Sequence, residues 1–307
     1  MGQYAAERKS TGQGYLFVAI AASGWGLWPL ILTHANVSLL LQASIALAVP
    51  TLVTAPLSYS QHYKRPTRKQ KIALIVFGIS DACGLLCFFG ALRLTTVAIA
   101  VLTHYLSTVL IPLTAIVLRL ESPKRRAAVA ICVSLSGLTL LLSPWHSTPQ
   151  AHDLIGAALG AASAVFGTAN IIVTKQLSAT LAPVQLMFYH GLSALPLLLI
   201  ATLLIPGATT TSIPGLAILT LGALGPGTIG VMIFFSGLKR IPATHTAVLT
   251  LLEPVVAIII AILFMNQPPD LFTLTGAVAV LAGAALVIEP TKGSHAATIQ
   301  LPRPLTP

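Results

Sequence analysis

The chain has 307 residues, of which 55% are hydrophobic and only 8% are Asp, Glu, Lys or Arg, whereas a soluble domain carries roughly a quarter charged residues. Seventeen basic against seven acidic residues leave a net charge of +10, and mean hydropathy is +0.89. That balance excludes a soluble enzyme, a disordered tail and a nucleic-acid-binding domain, and describes an integral membrane protein.

A helix crossing the hydrocarbon needs roughly 20 mostly apolar residues, and polar and Pro/Gly-rich breaks cut the chain into ten such runs. In order they are 14–33, 37–58, 72–92, 94–118, 127–143, 154–174, 183–205, 214–237, 243–264 and 271–288. Backbone amides in lipid must pair internally, so each run is expected to be a helix. No period-two alternation suggests a barrel. The first run continues through Trp25–Gly26–Leu27–Trp28–Pro29 with no small-residue cleavage pattern, so no removable signal peptide is expected.

Ten crossings from a cytoplasmic N-terminus place sixteen of the seventeen basic residues on the inner side, leaving only Arg93 outside. The positive-inside rule predicts such a bias. The run from Lys64 to Lys71 reads as a topology signal and secondarily as a contact for anionic lipid. Residues 1–13 form a cytoplasmic leading segment, and 291–307, with Lys292 and Arg303, a cytoplasmic tail.

Polar residues within the runs supply the candidate site, because a charge at mid-membrane costs roughly 2.5–3.5 kcal/mol on insertion scales and so faces protein or a wet cavity. In the first run Trp25 either walls a cavity or packs, while Trp28 belongs to the outer aromatic belt. Asp81, halfway along the third, either binds substrate or a proton or pairs with His104 or a neighbouring hydroxyl. Cys83, Cys87 and Cys132 lie in apolar runs and read as packing thiols. His104 shares a face with Ser107 and Thr108, and an imidazole suits a proton relay. Asn170 is a hydrogen-bond donor to substrate or to another helix, and Tyr189 and His190 lie nearer the inner face.

Glu253, in the ninth run, shares a helical face with Thr246 and Thr250. Pro254 clashes with the carbonyl of Thr250, so the helix is expected to bend there. Glu253 is then either a brace around that bend or a direct substrate or proton site. Arg93, Lys239 and Arg240 sit at helix ends and are expected to snorkel to the interface.

The second half of the chain repeats the first at an offset of 146 residues: Pro50 falls on Pro196, Gly84 on Gly230, and Phe88–Phe89 on Phe234–Phe235. Asp81 falls on Gly227, an asymmetry that favours a specific task for the acid. Each unit, 14–144 and 154–290, holds five runs, so the second enters from the opposite face. The fold class is therefore an all-α integral membrane protein with ten transmembrane helices in two inverted five-helix repeats. Inverted repeats typify secondary transporters with a site near the midplane between the halves.

Gly237–Leu238–Lys239 through Thr250–Leu251–Leu252–Glu253–Pro254, followed by a long apolar helix and a last helix containing Gly283, resembles the EamA-type signature of the drug/metabolite transporter superfamily. The first half carries a weaker copy, from Ala91–Leu92–Arg93 to Glu121. The resemblance implies a cytoplasmic-membrane exporter or exchanger of small metabolites, driven by protons or counter-substrate. Gln267 replaces the family's acid after the ninth helix, Glu121 keeps its first-half counterpart, and Gln42 stands where an Arg is often found.

No zinc-binding, phosphate-cradling or nucleophile-elbow motif is present, so neither catalysis nor a cofactor is expected. The expected partners are a small-molecule substrate, the bilayer and protons as a coupling ion. A divalent-cation carrier is the rival transporter, and a membrane sensor or scaffold the rival of another class. For a cation carrier two membrane-embedded acids are few.

Overall fold

A computed structural model describes residues 2–35, 37–59, 63–122, 124–146, 150–205, 207, 212–265 and 268–288. Among the sequence features read above, Gln267, the last two residues of the unit 154–290, and the tail 291–307 with Lys292 and Arg303 lie outside the described residues.

Nine helical stretches among the described residues are long and apolar enough to cross a membrane, and the shorter apolar helix Leu271–Val287 supplies a tenth. They are built from fourteen α-helices. The first span contains α1 (Gly2–Trp25) and α2 (Trp28–Ala35), and the next two are α3 (Leu39–Ser58) and α4 (Arg68–Leu94). The fourth contains α5 (Val97–His104) and α6 (Ser107–Val117), and α7 (Arg125–Leu142) closes the first repeat.

The second repeat opens with α8 (Asp153–Leu177) and α9 (Pro183–Leu204). Its third span runs through α10 (Ile213–Gly222), a π-helical segment at Ala223–Gly230, and α11 (Val231–Leu238). Its fourth contains α12 (Ala243–Leu249) and α13 (Leu252–Phe264), and α14 (Leu271–Val287) is last.

Side-chain caps mark where helices start. Ser38 accepts from the Leu41 amide, Thr96 from Ile99, Ser212 from Gly215 and Asp270 from Thr273. Thr67 and Gln70 form a reciprocal capping box. That box starts α4 at Arg68, four residues before the expected 72, because capping satisfies amides that the apolar pattern alone ignores.

The exterior is apolar as a bilayer requires: Leu52, Leu203 and Val278 are 71%, 76% and 66% exposed. Helix pairing follows the two-fold that exchanges one repeat with the other. The first span packs on the eighth as the third packs on the sixth, and the second–seventh, fourth–ninth and fifth–tenth pairs are each their own symmetry mates. Every one of these contacts joins the two repeats.

Two of the seams are made by glycine. A Cβ on Gly78 of α4 would lie 2.4 Å from Ser193 Cβ and 2.7 Å from the His190 carbonyl oxygen of α9. On Gly276 of α14 it would lie 2.4 Å from the Leu141 amide nitrogen of α7. Close backbone approach of this kind characterises packing in lipid, where no hydrophobic force drives helices together.

Candidate functional site

Four spans depart from regular α-helix. The first turns at Gly26–Leu27, the fourth at Tyr105–Leu106, the ninth at Thr250–Leu251, and the eighth widens into the π segment at Ala223–Gly230. In the ninth, the bend falls at the carbonyl that Pro254 would strike, as expected. The fourth and ninth are counterparts in the two repeats and break at matching positions. They meet there: Tyr105 of the fourth packs in one apolar cluster with Leu251 and Val255, which flank Glu253 in the ninth. The first span joins them, since a Cβ on Gly26 would lie 2.8 Å from the Glu253 carbonyl oxygen. The eighth meets the first where Trp25 Nε1 donates to the Pro226 carbonyl at 3.2 Å, with the Trp25 ring 4.9 Å from that of Phe234.

A second cluster centres on Asp81 of α4. Its carboxylate accepts Asn170 Nδ2 of α8 at 2.9 Å and contacts His190 Nε2 of α9 at 2.9 Å. Phe77, one turn before Asp81, stacks on the imidazole with centroids 4.1 Å apart and planes within 18°. The acid thus belongs to one repeat and both partners to the other. Asn170 gives one amide hydrogen to the carboxylate, and its Oδ1 is buried without a hydrogen-bond partner. His104 lies apart from Asp81: its Nδ1 is 2.8 Å from Ser163 Oγ of α8, and its ring packs 4.7 Å from Phe88.

Several expectations are corrected. Asp81 pairs with His190 and Asn170 instead of His104, because α4 lies against α8 and α9 on that face. Thr250, on the Glu253 face by spacing, turns its hydroxyl back to the Ala247 carbonyl at 2.8 Å, where the helix break leaves an acceptor. Tyr189 packs with the apolar cluster around Leu74 and Phe77, its ring edge-on to Phe188. Trp28 sets the edge of its ring beside Gly222 and Gly227, whose missing Cβ atoms leave room for it.

Other residues were not among the sequence-derived candidates. Tyr105 is one; its position corresponds to Leu251 in the other repeat, and that asymmetry beside the ninth-helix acid was the available signal. A buried pair joins Tyr15 Oη to His245 Nδ1 at 2.6 Å. At the end of the molecule bearing the basic loops, Glu121 receives the Ala243 and Thr244 amides and, at 2.6 Å, the Thr244 hydroxyl. Lys175 Nζ donates there to the carbonyls of Leu238, at 2.6 Å, and Ile241. A cation on the last carbonyls of α11 and a carboxylate on the first amides of α12 both complement the helix dipoles. Glu121→Ala is expected to cost about 1 kcal/mol, as loss of an N-cap does, read as a lower apparent melting temperature in detergent.

Among the described residues no three His, Cys, Asp or Glu side chains gather as metal ligands. The cysteines Cys83, Cys87 and Cys132 are free thiols.

Two stretches of the chain, 12–143 and 154–289, each match the model of the EamA-like transporter family. None of the curated proteins matches the chain significantly. Among solved structures, a crystal structure described only as that of a protein superposes with a TM-score of 0.76 at 20% identity, covering 91% of this chain and 97% of its own. At that identity the likeness speaks for the fold.

Proposed function

The chain belongs to the EamA-like transporter family, and we propose that it is a secondary active transporter carrying a small organic metabolite or drug-like compound out of the cell across the cytoplasmic membrane. Both termini would be cytoplasmic, as the distribution of basic residues favours. The observation that carries the reading is the Asp81–His190–Asn170 cluster, a carboxylate of one repeat held by side chains of the other.

Such a cluster ties ligand chemistry to helix packing. An ionised Asp81 accepts from both partners. A proton on it, or a cationic group of a substrate beside it, weakens those bonds and loosens α4 from α8 and α9. The spare Asn170 Oδ1 supplies an acceptor for a substrate N–H or O–H. Alternating access then follows from two near-equivalent packings of the same halves, with the interrupted first, fourth, eighth and ninth spans as the places where backbone adjusts.

Glu253 fits the brace reading best, because it sits where the broken first, fourth and ninth helices pack together, beside Tyr105 and Gly26. Trp25 borders the π segment and His104 the α5–α8 contact, and in this scheme both steady the helices next to the Asp81 group.

The test is flux. Proteoliposomes loaded with pooled metabolites should lose particular solutes only when the protein is present, and an imposed pH gradient should change the rate. Protein-dependent loss that ignores the pH gradient would remove protons from the mechanism. No movement of any solute would remove the transporter reading of this chain.

A further inference from the structure

A cavity of about 900 Å³ separates α6 from α7 at the end of the molecule that carries the basic loops, a size within the roughly 300–1,000 Å³ of ligand pockets. Val109, Leu113 and Ile116 of α6 form one wall, and Ile131, Cys132 and Leu135 of α7 the other. Leu113 is 53% exposed and Cys132 is exposed, so the groove is open sideways at membrane depth. It is distinct from the Asp81 cluster. Ile172 lines it from α8, and two residues of helix turn the side chain about 200° away from Asn170.

The mouth is cationic. Arg119, Lys124 and Lys239 are exposed around it, and Arg240 stands beside them over the Phe17 ring. The carboxylate among the lining residues, Glu121, is committed to the amides of α12. Partial loss of solvent and the adjacent Arg240 lower the affinity of the exposed Lys239 for its proton, a penalty that an anion between them would relieve. Arg119 holds a left-handed conformation, φ 56°, which glycine adopts with less strain. An exposed cation is kept where the backbone would favour glycine.

Apolar walls open to hydrocarbon and a basic mouth at the membrane surface match one kind of molecule. We propose that the groove holds an anionic phospholipid of the inner leaflet, with an acyl chain along α6 and α7 and the phosphate among Arg119, Lys124 and Lys239. The assignment rests on the basic end being cytoplasmic but not on the Asp81 mechanism. Basic pockets between membrane helices on that side recognise anionic headgroups by the same chemistry.

Spin-labelled phosphatidylglycerol and phosphatidylcholine in proteoliposomes test it, because lipid held in a groove shows a motionally restricted component. Wild type should restrict the anionic lipid severalfold more than the zwitterionic one. The Arg119→Gln/Lys239→Gln variant, altered only at the mouth, should bring the two headgroups to parity, and Ala128→Trp should reduce the component by filling the groove. A control variant at the opposite end of the molecule, Arg93→Gln, an exposed cation far from the groove, should keep the preference.

Equal restriction of both headgroups in wild type, or equal loss in the control, would overturn the proposal in favour of general attraction to the annulus. Displacement of the labelled lipid by decyl phosphate, at concentrations that leave the bilayer intact, would also overturn it and assign the groove to a free amphiphilic anion. Each readout is lipid binding, so it stands or falls apart from solute flux.

Discussion

Asp81→Asn is expected to lower solute flux at least about tenfold, because hydrogen bonds to a charged group are worth about 1.5–3 kcal/mol each and Asp81 holds two of them across the repeat interface. The substitution keeps the size of the side chain but removes its charge and one acceptor, so the helices still pack while the ligand- and proton-sensitive element is gone. The pH gradient should then have little effect on whatever flux remains. A double-mutant cycle with His190→Gln should be non-additive, since residues in one hydrogen-bonded pair share a single interaction. Additive losses would place the two residues in separate roles.

The second large effect comes from a residue with no polar group. Gly78→Val is expected to abolish flux and to lower the melting temperature in detergent, because the added side chain meets backbone atoms of α9 and not a movable side-chain tip. Overpacking of this kind costs about 1–3 kcal/mol where the structure can adjust. Here adjustment means parting α4 from α9, one turn from Asp81, and lengthening the contact with His190. Gly12→Val is the matched control, since a Cβ at Gly12 meets nothing within 4 Å; it should leave flux and melting unchanged. Wild-type flux in Gly78→Val would show that a close α4–α9 contact is not needed.

These residues also show how far the sequence could be read. The ten runs were legible because lipid imposes length and hydropathy on each helix separately, and the ninth-helix bend was legible because proline acts on its own backbone. The repeats were legible from Gly, Pro and Phe matches, which are rarer than chance Leu pairs. Partner choice was not legible. Asp81 and His190 stand on α4 and α9 with the whole fourth, fifth and sixth spans between them in sequence, and only the packed geometry aims one at the other.

The same limit explains Tyr105, whose role depends on two helix breaks coinciding in space. It explains Thr250 too, where a local carbonyl outcompetes the carboxylate that helical spacing offered. Lys175 and Glu121 looked like topology and family marks, yet both bind the ends of neighbouring helices. A charge count cannot distinguish a solvated loop residue from a cap on another element.

Central to the account is relative movement of the two repeats during transport, and a reversible clamp across them tests it most directly. Glu121 follows the fourth span in the first repeat and Thr244 begins the ninth in the second, with their side chains 2.6 Å apart. In a background with Cys83, Cys87 and Cys132 replaced by Ser, Glu121→Cys/Thr244→Cys can be bridged by a short, cleavable bifunctional thiol reagent. Bridging should stop the solute flux seen in the unbridged protein, and cleavage of the bridge should restore it. Full flux through the bridged protein would contradict the account, because the repeats would then carry solute without parting at this end.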